Sequence, residues 1–252
     1  MATTSNYLPP TPDENGGQRN AALYWTQTST LHMSDTPTGA LNLNVDGRVA
    51  VGPLQGFGQL WQKTYQLRLP GSIMTPVEVM QEWKANFARF QPPDNRFYAV
   101  QGRSMEPGQT ILINATMTGI ALPTGVIVLY ADDESFALMT PQGHPEAGWI
   151  TFSAYTEESE LVCEVQSLAR ASDPLYEIGF RLLGSQVQEQ IWVHVLKELA
   201  AHLQQEGQIS MEKVCVDSRI QWSAARNIWQ NAAIHSMLYT LSLPVRKLRR
   251  KA

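Results

Sequence analysis

The chain has too little cysteine to build on. Its two cysteines, Cys163 and Cys215, are too few for a disulfide framework or a thiolate zinc site. Each lies in an apolar stretch and reads as a reduced packing residue. Histidine is scarce as well, with five in 252 residues. Long apolar runs are missing: none approaches the roughly 18 uninterrupted residues of a membrane span. The opening Met1-Ala-Thr-Thr-Ser-Asn6 lacks the basic-then-apolar order of a signal peptide. The expected compartment is the cytoplasm. Basic charge is nearly confined to one end. Arg246, Lys247, Arg249, Arg250 and Lys251 fall in the last seven positions, leaving 14 basic against 23 acidic residues elsewhere, a formal −9. An acidic body of this kind argues against nucleic-acid binding, which needs a basic face to neutralise phosphates.

Apolar residues make up 43% of the chain, enough for a substantial core at this length. Residues 1–22 are rich in Pro, Gly and Asn, cannot repay the entropy of ordering, and read as a flexible arm. From Leu41 the pattern alternates. Leu41–Val45 and Arg48–Val51 flank Asp46-Gly47, a hairpin turn signal. Leu60–Leu69 is a long strand candidate. Thr75-Pro76 with Glu78 starts a helix: a capping threonine, a proline at the first position and an acid in the first turn. Val79, Met80, Trp83, Phe87 and Phe90 recur at three and four residues as its buried stripe.

The middle third carries the strongest pattern. Five strand-like runs, 111–117, 125–130, 136–139, 149–154 and 161–166, are separated by short turn-forming segments that include Leu122–Gly125. Strands joined that tightly pair antiparallel, because a parallel crossover needs a dozen or more residues. A helix over 185–203 follows, with Gln188, Ile191, Trp192, Val195, Leu196, Leu199 and Leu203 on one side. Ile220 to Leu243 is helical in composition, and Pro244 is expected to close it before the basic tail.

The order strand, helix, antiparallel strands and long C-terminal helix resembles the helix-grip fold of the SRPBCC or START-like superfamily. Gly143-His-Pro-Glu-Ala-Gly-Trp-Ile-Thr-Phe-Ser153 and Val165-Gln-Ser-Leu-Ala-Arg-Ala-Ser-Asp-Pro174 are similar to a bacterial and plant domain-of-unknown-function branch of it. That branch has a Gly-His-Pro segment before the penultimate strand and a Ser-Arg-Pro-like segment before the last helix; here Ala169-Arg170-Ala171 stands in the second place. The resemblance implies an α+β fold, a curved antiparallel sheet wrapped on a long helix. It covers roughly residues 58 to 204, and the superfamily's ligands vary, so it carries little about activity. The expected organisation is an arm (1–22), a helix-grip domain with an N-terminal hairpin (41–206) and a helical appendage with a basic tail (207–252).

The leading functional expectation is binding of a hydrophobic small molecule, a lipid, isoprenoid or polyketide, between sheet and long helix. Tyr65, Trp83, Tyr98, Tyr130, Trp149, Phe152 and Trp192 are candidates for the pocket wall, with core packing as the alternative for each. Arg170 joins them at the pocket rim, paired with Glu177 or held in a surface salt bridge. His144, between a glycine and a proline and beside Glu146, is the candidate general base of a cyclase- or hydrolase-type enzyme, the first rival; a turn histidine bonded to backbone is the alternative. No Ser or Cys carries the local signature of an activated nucleophile. His194, Glu198 and His202 share a helix stripe, but the outer two stand about 12 Å apart by helix geometry, so no metal site is read there. Nothing points to a cofactor. The second rival is an interaction protein with a filled interior. Trp222, Trp229 and Tyr239 with Arg246, Lys247, Arg249, Arg250 and Lys251 suit peripheral contact with an anionic membrane, and a capping role or a homodimer is the alternative.

Overall fold

The computed structural model describes residues 21–98, 105–117, 119–183 and 186–249. Alternation sets its framework. In β1 (Leu60–Leu69) Lys63, Tyr65, Leu67 and Leu69 are buried and the residues between them half-exposed, the period of two expected of a strand with one face on a core. The other strands are β2 (Asn95–Tyr98), β3 (Thr110–Met117), β4 (Ile120–Ala131), β5 (Ser135–Met139), β6 (Glu146–Glu157), β7 (Glu160–Ala171) and β8 (Gln208–Asp217). All join one antiparallel sheet in the order β2-β3-β4-β5-β6-β7-β1-β8. Glu158 and Ser159, both at positive φ, form the two-residue turn from β6 to β7.

Helices cover one face of the sheet. α1 (Pro76–Asn86) opens on a capping box: Thr75 Oγ1 accepts the Glu78 N–H at 3.2 Å and Glu78 Oε2 accepts the Thr75 N–H at 2.8 Å. A 3-10 turn, Phe87–Phe90, continues it. Val79, Met80, Trp83, Phe87 and Phe90 are all buried, as their spacing predicts. α2 (Pro174–Leu183) leads into α3 (Gln186–His202), which lays Trp192, Val195, Leu196 and Leu199 on the sheet while Lys197 and Glu198 face water. The result is the expected α+β helix-grip arrangement.

The opposite face of the sheet is covered by chain that precedes and follows this unit. Leu31 and Val45 pack on Leu112 and Ile127. A 3-10 segment (Trp222–Gln230) and α4 (Ala232–Arg249) complete the layer, α4 lying over β4.

Five local expectations change. Asp46-Gly47 does turn, with Gly47 at φ +76, but Leu41–Val45 forms no strand; residues 29–31 pair there instead, through Leu31 N–H to Arg48 O (2.9 Å) and Ala50 N–H to Ser29 O (2.7 Å). Side chains hold the other arm: Asn114 Oδ1 accepts the Leu41 N–H, and Asn44 Nδ2 donates to the Pro123 carbonyl. Leu122–Gly125 is part of β4, because the tight turn lies at Gly119, φ +80. Pro123 is tolerated there since β5 pairs only with the later part of β4. A separate helix, α2, precedes the long one. Gln208–Asp217, inside the region read as helical, is β8, and its Cys215 is exposed. α4 runs on through Pro244 to Arg249. Of the arm read over residues 1–22, the last two residues open a 3-10 helix, Ala21–Tyr24, and residues 1–20 lie outside the described residues, as do tail residues Arg250 and Lys251.

Candidate functional site

The space between sheet and α3 is occupied by rings. Phe136 and Phe152, on adjacent strands, stack at 4.6 Å and 12°. Phe87 meets both edge-on at 5.4 and 5.1 Å, and Phe97 at 5.3 Å. The Phe152 ring also meets the Trp83 indole of α1 and the Trp192 indole of α3, each at 5.6 Å. Register places Phe152, Val165 and Tyr65 in one row across β6, β7 and β1. Three polar tips in this layer, Tyr65 Oη, Trp83 Nε1 and Trp192 Nε1, are buried without a hydrogen-bond partner. Burial raises the Tyr65 phenol well above its usual range, with Glu189 and Glu146 adding to the effect.

A polar chain lies at the end of this layer nearest the start of α3. Lys63, only 7% exposed, shares the sheet face of Tyr65 and donates through Nζ to Gln188 Oε1. Gln188 Nε2 donates to Glu146 Oε2 at 2.7 Å. Burial pushes the Lys63 ammonium below the ordinary lysine range, opposed by nearby Glu146. Burial pushes the Glu146 carboxyl up, opposed by Lys63 and Gln188. Neither residue was singled out as a site residue from the sequence. The available signal was register: Lys63 is the one cation in the odd-numbered row Trp61, Lys63, Tyr65, Leu67, Leu69.

The expected pocket residues divide between the two faces. Tyr65, Trp83, Phe152 and Trp192 meet in the interior. Tyr98 packs with Leu31 and Val45 on the other face, Tyr130 lies 4.8 Å from the Trp25 ring, and Trp149 lies against the chain at Gly52. Arg170 also leaves the interior. Its buried guanidinium donates to Gly58 O at 2.7 Å, Arg219 O at 2.9 Å and Asp217 Oδ2 at 2.6 Å, pinning the end of β8 to β7 across β1. The Asp217 carboxyl is held below the usual range, by Arg219 first and then Arg170. Glu177 pairs with Arg181 at 2.7 Å rather than with Arg170.

His144 sits in the turn before β6. Its Nδ1 lies 3.0 Å from the Glu146 backbone nitrogen and 3.1 Å from the Glu146 carbonyl oxygen, and burial lowers its pKa to about 4. The preceding Gly143, at φ +86, lets the chain around Gln230 pass close: a Cβ there would collide with the Gln230 carbonyl, and Gly143 O accepts the Ala232 N–H at 2.9 Å. This junction borders a surface groove of about 540 Å³ whose walls include Leu54, Gln55, Gln142, Ser172, Arg226 and Trp229. A shallower depression of about 350 Å³ follows the outer side of α3 at Glu189, Gln190, Val193, His194 and Lys197. His202 pairs with Glu82 at 2.8 Å. Among the described residues no group of three His, Cys, Asp or Glu is placed to hold a metal ion.

No curated protein matches the chain significantly. Solved structures similar to it include a protein from Thermus thermophilus (13% identity, 57% of this chain and 97% of that one, TM-score 0.43). A START superfamily protein from Mycobacterium smegmatis is similar at 11% identity over 58% of this chain and 98% of that one, TM-score 0.40. The di-domain ARO/CYC StfQ from the steffimycin biosynthetic pathway is similar at 12% identity and TM-score 0.41; the match covers 57% of this chain and only half (50%) of StfQ. The family described as "Domain of unknown function (DUF1990)" matches residues 65–198, more than half of the chain, and the protein belongs to that family.

Proposed function

We propose that the protein binds a hydrophobic small molecule between the sheet and α3, a lipid, isoprenoid or polyketide carrying hydrogen-bond acceptors. The observation that carries this reading is the trio of unpaired buried tips, Tyr65 Oη, Trp83 Nε1 and Trp192 Nε1. A buried polar group without a partner costs about 1–3 kcal/mol, so three in one apolar layer are a standing cost that a ligand would remove. An indole N–H only donates, and a phenol can donate. The layer therefore offers donors to a carbonyl or ether oxygen, with aromatic walls for the remainder, which is the usual make-up of a ligand site. Phe87, Phe136 and Phe152 occupy the volume that the apolar part would take, so binding requires these rings to move.

Native mass spectrometry of protein purified from its own host should reveal a bound non-protein mass. A hydrophobic fluorescent probe bearing a ketone should bind the Trp192→Phe variant about tenfold more weakly than wild type, the equivalent of one hydrogen bond. Unchanged probe affinity together with no bound mass would refute the reading.

One observation favours an enzyme instead: buried Lys63 and half-buried Glu146 are linked through Gln188 and shifted in opposite directions, and perturbed groups of this kind cluster at catalytic sites. On that reading Glu146, its carboxyl pushed up by burial, is the acid and His144 is not required. Loss of a proton-transferring group typically lowers rate by 10² to 10⁴. A product formed from host extract by wild type and not by Glu146→Gln, with ligand binding retained, would establish the enzyme in place of the carrier.

A further inference from the structure

The C-terminal layer presents an apolar helix face on the outside of the protein. α4 is fastened along one side: Ala232 and Ser236 are buried, and Asn44 Nδ2 donates to Ser236 Oγ at 3.0 Å and to the Pro123 carbonyl at 2.9 Å. On another side Met237, Leu238 and Leu241 are 51%, 56% and 66% exposed. Their spacing makes a stripe on a helix. Trp229, 82% exposed, stands beside the first turn, its carbonyl accepting from His235 Nε2 at 2.9 Å.

Charge selects the occupant. Arg246, Lys247 and Arg249 lie in the last turns of α4 and Arg250 and Lys251 follow, on a chain whose remainder sums to −9. A second copy laid stripe to stripe would cover the apolar face and leave the basic end in water. An anionic bilayer covers both at once, apolar side chains at the acyl boundary and cations among the headgroups, with an exposed indole at headgroup level. No helix among the described residues is long and apolar enough to cross a membrane, so the mode is lying on the surface. We propose that α4 is an interfacial helix that docks the protein on an anionic phospholipid surface.

The test is co-sedimentation of the full chain with vesicles of phosphatidylcholine alone and of phosphatidylcholine with one third phosphatidylserine. Partition onto the anionic vesicles should be at least tenfold stronger and should fall with salt. The triple variant Arg246→Gln, Lys247→Gln, Arg249→Gln should lose about a hundredfold, from the contribution of each cation near the surface. Leu238→Asp with Leu241→Asp should lose at least tenfold while unfolding at the wild-type temperature, because both positions are exposed. The proposal is overturned by absence of partition, by partition that either variant leaves intact, or by sedimentation showing a dimer that Leu241→Asp dissolves and vesicles do not compete for. None of these outcomes bears on the interior ligand.

Discussion

Asp173 and Asn231 each cap a helix, and they hold one another. Asp173 Oδ1 accepts the Leu175 and Tyr176 N–H groups at the start of α2, and Asn231 Oδ1 accepts the Ile234 N–H at the start of α4. Between them Asn231 Nδ2 donates to Asp173 Oδ2 at 2.7 Å, with both residues fully buried. Asn231→Ala removes a cap worth about 1 kcal/mol and strands a buried carboxylate oxygen, so the expected loss is about 3 kcal/mol in urea unfolding. A loss near that of the cap alone would show the two helices to be independently fixed.

Tyr65→Phe is expected to stabilise the unliganded protein by about 1 kcal/mol, since it deletes a hydroxyl that is buried without a partner. Thermal unfolding of both proteins, stripped of bound small molecules, measures the difference. Destabilisation would mean that the hydroxyl is satisfied in solution.

The protein should lose stability as pH falls from about 6.5 to about 4. His144 is held neutral in the fold, with its pKa lowered from 6.5 to about 4. In that window the unfolded chain binds the proton and the folded one does not, so acid favours unfolding. Above 6.5 both states are neutral at this residue and its contribution is flat. His144→Asn should flatten the limb between pH 6.5 and 4 in a series of denaturant midpoints; an unchanged slope would assign it to other groups.

Leu196→Ala should cost about 2–5 kcal/mol as a core truncation, because Leu196 is fully buried on the sheet-facing side of α3. Its neighbour Lys197 is exposed, and Lys197→Ala should shift thermal unfolding by little. Equal effects would contradict the observed helix face.

Local chemistry made parts of this fold legible. The Thr75, Pro76 and Glu78 signature marks the start of α1, Leu60–Leu69 alternates over its whole length, and Trp192 to Leu199 repeats at helical spacing. β8 was not legible because it is an edge strand, largely exposed on both faces, so burial writes no alternation into it. Pro123 looked like a turn because its missing N–H argues against a strand, and only the limited extent of β5 makes it harmless. The interior site divides in the same way. An aromatic such as Tyr98 announces burial but not which sheet face it takes, and a one-residue change of register exchanges the faces. That three donors would be left unpaired, or that Glu146 would meet Lys63 through Gln188, depends on helix placement that no local pattern encodes.

The position of β1 bears on how the molecule is made. Tyr65 faces Val165 on one side and Met211 on the other, so a strand synthesised early has both neighbours supplied late. A nascent chain holds Leu60–Leu69 unpaired while the intervening strands and helices emerge, and closure over such separations is slow. Lys63 and Arg68 interrupt that stretch with charge, which discourages it from pairing with other chains in the interval. The last strand to emerge, β8, converts β1 from an edge into an interior strand. A ribosome stalled before Asp217 would therefore carry a sheet with its longest-waiting edge still open, the form that chaperones and proteases would meet first.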